Sequence, residues 1–198
     1  MAMLPDGLAL HVAEGVAPSV ARAFASSFRV VWAAIPFSLR RALIAYWRTV
    51  ERRRERERRR RATRGARPGT RQLRVPSIAL EVMSLELLAI GGVRHRGHTP
   101  ACTIAGVEML FLSQFLEPAP TAVVMALIAH ELAHCVQEAT ASDPIVDLEP
   151  VKACEDQAHA MAFAWGFSST VIQAYKARHI ETWRRGLPIF HKSSEATR

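Results

Sequence analysis

Two histidines and a glutamate occur within five residues of one another in the apolar stretch LIAHELAHCVQE. On a helix, His130 and His134 would lie one turn apart on the same face, about 6 Å along the axis, so both imidazoles could bind one ion. Glu131 would lie about 100° around the helix from His130, where it can reach a water molecule at that ion. Two nitrogen donors beside a carboxylate are what metal-activated hydrolysis requires. The spacing therefore predicts a catalytic metal site.

The alternative is a core helix whose histidines are simply hydrogen-bonded to their neighbours. Three polar side chains among the apolar residues VVMALIA and LA would then each need a buried partner. A buried polar group without a partner costs about 1–3 kcal/mol. A metal ion satisfies this need directly, which favours the metal site.

A zinc site that activates water keeps one coordination position open and so needs a third protein ligand. The next predicted helix, CEDQAHAMAFAWGF, offers Glu155 and His159 one turn apart, with Asp156 beside them. Asp147 and Glu149 are further acids close to this helix in the sequence. The residues alone leave this choice open.

The two motifs together resemble the HExxH zinc metallopeptidases of the gluzincin group, including small intracellular members such as the ImmA/IrrE-like and minigluzincin proteins. The resemblance rests on HELAH at 130–134 and on a downstream helix of the form E-x-x-A before WGF. It covers residues 98–167, roughly a third of the chain.

The resemblance implies a zinc-dependent endopeptidase of intracellular proteins. Zn²⁺ would be bound by His130, His134 and Glu155, and Glu131 would be the general base on a metal-activated water molecule. Many members have an aspartate four residues after the third ligand, where this chain has His159. His159 could accept a hydrogen bond from a ligand imidazole or replace Glu155 as the ligand. A second hypothesis is a zincin-fold regulatory or binding module that does not cleave and could associate with nucleic acid.

Other parts of the chain could complete such a site. Tyr175, Arg178 and His179 on the last predicted helix are candidates for stabilising the oxyanion. A strand of HTPACTIAGVEMLFLS is predicted to hold the substrate as an added strand. The stretch HRGH at 95–98 is interpreted as a polar turn.

The basic residues are concentrated in one segment. The net charge is +8, but residues 48–74 contain 13 arginines and 3 glutamates, a local charge of +10, and the rest of the chain carries −2. The segment can be a solvated helix extension in which Glu51 and Glu55 pair with arginines one turn on. It can also contact nucleic acid or an anionic surface. It contains no aromatic residues that would stack on bases.

The pattern along the chain predicts an α+β fold, in which helices pack on one side of a small zincin-like sheet. Residues 1–64 are predicted as a helical N-terminal region, 65–76 as a linker and 77–198 as the metallopeptidase domain. Ala105-Gly106 is predicted to turn a hairpin. Pro120 should precede the helix with the histidines, and Pro150 and Gly166 should begin and end the next one. Four aromatic residues at helical spacing are more typical of a core than of a binding surface: Phe24, Phe28, Trp32 and Trp47.

The cysteines and the apolar runs indicate the cellular compartment in which the protein is expected. Cys102, Cys135 and Cys154 are odd in number and lack paired spacing, so neither a disulfide framework nor a thiolate zinc site is predicted. Cys135 and Cys154 are interpreted as small buried residues. The N-terminus lacks the pattern of a secretory signal, and arginines interrupt its apolar run. A protein of the reducing cytoplasm without a transmembrane segment is predicted.

Overall fold

The computed structural model describes residues 2–63, 75–82, 101–141 and 150–178. These contain five strands, six α-helices and a short 3₁₀ turn at Pro5–Gly7. The strands are β1 (Ala2–Met3), β2 (Ala9–Val12), β3 (Ser77–Glu81), β4 (Ala101–Ile104) and β5 (Glu108–Leu112), and the helices are α1 (Pro18–Ala34), α2 (Phe37–Thr63), α3 (Ser113–Leu116), α4 (Thr121–Thr140), α5 (Pro150–Ala164) and α6 (Thr170–Arg178). The predicted α+β class is confirmed at this level.

The strands form one mixed sheet in the order β1-β2-β3-β5-β4. The central pairs, β2 with β3 and β3 with β5, are parallel, and the outer pairs are antiparallel. The prediction that residues 1–64 are entirely helical is therefore wrong at the start of the chain, where β1 and β2 precede α1. The division at the 65–76 linker stays a prediction, although strands from both sides of it are neighbours in the sheet. Residues 65–74 of that linker lie outside the described residues.

One face of the sheet is covered by helices. Leu10, Ile78, Met109 and Thr103 form a row across four neighbouring strands and so share this face. The first three side chains of the row are buried, and Thr103 contacts α4. Phe111, two residues after Met109, therefore points the same way, and its ring lies 4.8 Å from that of Phe24 in α1. Helices α1 and α4 thus pack on the same side, as predicted.

The four N-terminal aromatic residues are part of the core. Phe24, Phe28, Trp32 and Trp47 are each at most 2% exposed, and Trp32 stacks between Phe28 and Trp47 at ring distances of 6.0 Å. The prediction that these residues belong to a core is confirmed.

The hairpin between β4 and β5 turns at Ala105 and Gly106, as predicted, and both have positive φ. The turn is fixed from two sides. The Trp47 indole N–H of α2 donates a 2.8 Å hydrogen bond to the Gly106 carbonyl, and a Cβ at Gly106 would lie only 2.6 Å from Cβ of Glu138 in α4. Glycine is therefore required here both by conformation and by space. This contact fixes the end of β4 against α4.

The predicted bounds of the last helices are confirmed where they are described. Helix α4 begins directly after Pro120, α5 begins at Pro150, and Gly166 takes φ 94° after the end of α5. Helix α5 packs along α4, and α6 also contacts α4. No helix in the described ranges is both long and apolar enough to cross a membrane.

Candidate metal centre

Three predicted metal ligands converge between α4 and α5. The Nε2 atoms of His130 and His134 lie 3.1 Å apart. Glu155 of α5 places Oε2 3.1 Å from Nε2 of His130 and Oε1 3.4 Å from Nε2 of His134. Helix α4 supplies the two imidazoles one turn apart, and the packing of α5 along α4 brings the carboxylate to them.

These distances fit the coordination shell of zinc. Tetrahedral zinc with bonds of about 2.0–2.2 Å to nitrogen and oxygen holds its ligand atoms about 3.3–3.6 Å apart. The three distances between His130, His134 and Glu155 are 3.1, 3.1 and 3.4 Å, so moving the ligand atoms apart by a few tenths of an ångström would accommodate the ion. The residues present therefore fit the metal that the HExxH motif implies.

Gln137 sets the protonation of His134. Its amide nitrogen donates to the Cys154 carbonyl at 2.7 Å and to Oε1 of Gln157 at 3.2 Å, so its amide oxygen faces Nδ1 of His134 at 2.8 Å. An amide oxygen only accepts, and Nδ1 must therefore carry the proton. The lone pair of His134 is then on Nε2, which points toward His130 and Glu155. This leaves the Nε2 lone pair of His134 in the orientation that a metal ligand would require.

Replacing Gln137 with leucine should weaken zinc binding without removing a ligand. The variant cannot accept the proton of Nδ1, and loss of such an indirect contact typically lowers metal affinity roughly 10- to 100-fold. Competition with a chromophoric zinc chelator measures this change. Gln173→Leu is the matched control, since Gln173 lines the same cleft from α6. Equal affinities of both variants and the wild type would contradict the role of Gln137.

Glu131 is placed apart from the three ligands. It is 5% exposed, and its Oε2 accepts a 2.7 Å hydrogen bond from the hydroxyl of Thr103 in β4. Burial raises the pKa of Glu131 to about 7, although the hydrogen bond from Thr103 acts in the opposite direction. A carboxylate with a pKa near neutrality is suited to accept a proton and release it again.

His130 is the more deeply buried of the two motif histidines. Burial, with neighbouring His134 and His159, lowers its pKa to about 3. Its side chain is 12% exposed, and its Nδ1 is buried without a hydrogen-bond partner. The imidazole is therefore neutral at physiological pH, which is the form that binds a metal.

His159 lies just outside the closest three atoms. Its ring is 4.5 Å from that of His130, and its ligand atom lies within 4.8 Å of those of His130 and Glu155. Its Nδ1 is buried without a hydrogen-bond partner. His130, Glu155 and His159 form a group that could hold a metal ion. In this second set His159 takes the place of His134, whereas the sequence suggested it as a replacement for Glu155. The shorter distances favour the set with His134.

The other predicted ligands and polar residues are placed differently. Asp156 is exposed on α5 and outside the group of converging atoms. Asp147, Glu149, His179 and the HRGH stretch at 95–98 lie outside the described residues. Of the predicted oxyanion residues, Tyr175 and Arg178 are described, and neither is in the lining of the cleft beside the histidines.

This cleft has a volume of about 480 Å³ and opens beside the three converging side chains. Strand β4, the hairpin turn and helices α4, α5 and α6 form its walls. Lys176 of α6 contributes a cation to this lining. Burial lowers the pKa of Lys176, while Glu155 and Glu131 act in the opposite direction. The cleft therefore presents both carboxylates and a cation.

The cysteines take no part in the convergence. Cys135 is buried in α4, as predicted, and Cys154 is half-buried with its carbonyl bonded to Gln137. Burial raises the pKa of Cys102 to about 11, so its thiol stays protonated near neutral pH. A thiolate ligand is thus not expected from Cys102.

Comparisons with models of protein families, with curated proteins and with solved structures give no match to this chain. Thr103, Gln137 and Lys176 were not predicted as site residues. Gln137 had one weak signal in the sequence, its position three residues after His134 in HELAHCVQ, which places both side chains on one helix face.

Proposed function

We propose that this protein is a zinc-dependent peptidase that acts in the cleft between β4 and α4. The observation that carries the proposal is the convergence of His130, His134 and Glu155 at distances of 3.1–3.4 Å, with a separate buried carboxylate beside them. A metal site that is purely structural would not need Glu131 at this place.

Zinc, when bound, would polarise a water molecule and the carbonyl group of a substrate. Glu131 would accept a proton from the attacking water molecule and later give it to the leaving amine. Thr103 holds one oxygen of Glu131 at 2.7 Å, so the carboxylate is oriented before substrate binds. Lys176 places positive charge in the cleft wall, where it would favour the negative charge that develops on the carbonyl oxygen.

The substrate is proposed to bind as an extended peptide along β4. This strand is the last in the sheet order of the described residues, and Ala101, Cys102 and Thr103 line the cleft. An extended chain can add to such an edge through backbone hydrogen bonds. Because Thr103 also contacts Glu131, a peptide on β4 would lie beside the general base.

The test combines metal analysis with cleavage of an unfolded protein such as reduced casein. The purified protein should contain one zinc ion per chain and cleave the substrate. Removing the metal with a chelator should abolish cleavage, and added zinc should restore it. The reason is that the water molecule is activated only when the metal polarises it.

Two outcomes would overturn parts of the proposal. A protein that binds no zinc, even when zinc is added to the metal-free form, would remove the metal centre. A protein that binds zinc and cleaves none of a panel of unfolded proteins would favour the second hypothesis, a zincin-like module that binds or regulates.

A further inference from the structure

We propose that the outer half of α2 is a docking surface for the backbone of double-stranded DNA. The proposal does not depend on zinc or on peptidase activity. It rests on the way that α2 is anchored along one side, while the opposite side of its outer half, residues 48–60, is exposed and strongly basic.

One side of α2 is anchored in the core. Leu43 and Trp47 are buried, and Val50 packs partly against the same cluster. Arg54 then forms a 3.0 Å ion pair with Glu108 at the start of β5. The helix has 27 residues, about 40 Å, so its C-terminal part extends past these anchors. The contacts of these anchors therefore hold the exposed side of the helix in a fixed position relative to the core.

The charges of the outer half are not balanced. Residues 48–60 contain eight arginines and three glutamates, and all three glutamates have arginine partners. Glu55 contacts Arg58 and Arg59 at 3.2 and 3.0 Å. Glu51 and Glu57 contact Arg58 and Arg53 at 3.4 Å. Glu55 thus pairs with arginines one helical turn later in the sequence, as predicted, whereas Glu51 pairs with an arginine seven residues later.

A row of exposed arginines remains on one side of the helix. Arg48, Arg52 and Arg56 are exposed and lie one turn apart, about 6 Å along the axis. Arg53, Arg54, Arg58 and Arg59 of the same helix form ion pairs with glutamates. Arg52 donates a 3.2 Å hydrogen bond through Nε to the Arg48 carbonyl one turn back, and its side chain stays exposed. The three side chains of the row therefore place a line of positive charge on this side of the helix.

The sequence of this half argues against other polyanions. Residues 51–61, ERRRERERRRR, have no apolar face that could enter a membrane. They also have no aromatic side chain on which the bases of a single strand could stack. A lone helix fits the major groove of B-form DNA, which is about 12 Å wide, but not the narrow major groove of duplex RNA. Duplex DNA, contacted through its phosphates, is the partner that fits.

The test measures binding of the full chain to a fluorescent 20-base-pair duplex of arbitrary sequence by anisotropy at several salt concentrations. The affinity should fall linearly on logarithmic axes. Replacing Arg48, Arg52 and Arg56 with glutamine should reduce the slope by about 2.7, or about 0.9 for each lost phosphate contact. Glutamine is a good helix former, so α2 should persist, which circular dichroism can verify.

The matched control removes the same charge elsewhere. Arg22, Arg41 and Arg178 are exposed outside the row, and their replacement with glutamine should leave the slope nearly unchanged. A wild-type affinity independent of salt, an equal loss in both triple variants, or tighter binding to anionic vesicles or single-stranded RNA than to the duplex would overturn the proposal.

Discussion

Replacement of Glu131 with glutamine is expected to lower the rate of peptide cleavage roughly 10²- to 10⁴-fold while zinc stays bound. Glutamine has nearly the same size and can still accept the hydrogen bond from the Thr103 hydroxyl. It cannot accept a proton from water, and none of the three converging ligand atoms belongs to residue 131. Steady-state cleavage and zinc content should be measured on the same preparation.

Glu138→Gln is the matched control for this variant. Glu138 is on the same helix and also lines the cleft, but it lies two turns along α4 from Glu131 and one turn beyond His134. Its replacement removes the same charge and should leave the cleavage rate within a few fold of wild type. A Glu131→Gln protein that keeps full zinc and full cleavage would refute the general-base role.

The same variant has a second measurable consequence, on the stability of the metal-free protein. Burial raises the pKa of Glu131 from 4.5 to about 7, so folding favours the protonated carboxyl. That contribution to stability is fully present below pH 4.5 and is lost as the pH rises through 7. Glutamine stays neutral, and the metal-free variant should therefore be at least as stable as wild type above pH 7. A melting temperature of the variant below that of wild type above pH 7 would mean that the substitution disturbs the fold. A loss of cleavage would then have to be compared with the Glu138→Gln control before it is assigned to the missing base.

The sequence predicted those parts of the site that depend on one helix at a time. The positions of His130, His134 and Glu131 follow from residues per turn, and the structure places them accordingly on α4. Thr103 and Lys176 could not be predicted in this way. Their roles depend on how β4 and α6 pack against α4, and the spacing of residues within one element does not contain this information.

The N-terminal strands were missed for a related reason. β2 has four residues, and it is stabilised by pairing with β3, which lies more than 60 residues further along the chain. A short strand of this kind has little intrinsic preference and depends on its partners. The helical pattern of α1 directly after it dominates any window of 11–18 residues. By contrast, Ala105-Gly106 predicted its turn because the signal is local.

Removing single ligands should distinguish the two sets of three that the structure brings together. Glu155→Ala and His134→Ala are each expected to lower zinc affinity by more than the roughly 100-fold that marks the loss of an indirect contact. His159→Ala should lower it by less than that. The reason is distance, since the atoms of His130, His134 and Glu155 already lie 3.1–3.4 Å apart, whereas His159 is placed only within 4.8 Å.

The measurement is competition for zinc against a chelator of known affinity, with Asp156→Ala as the control. Asp156 is exposed next to Glu155, so its replacement removes a carboxylate at the same end of α5 and should leave zinc affinity nearly unchanged. If His159→Ala loses zinc as completely as Glu155→Ala, and His134→Ala retains it, the ion is bound by His130, Glu155 and His159. His134 would then face the cleft, held by the hydrogen bond to Gln137. The distances of the converging atoms instead predict that His134 binds the metal and that His159 acts on the centre through its neighbour His130.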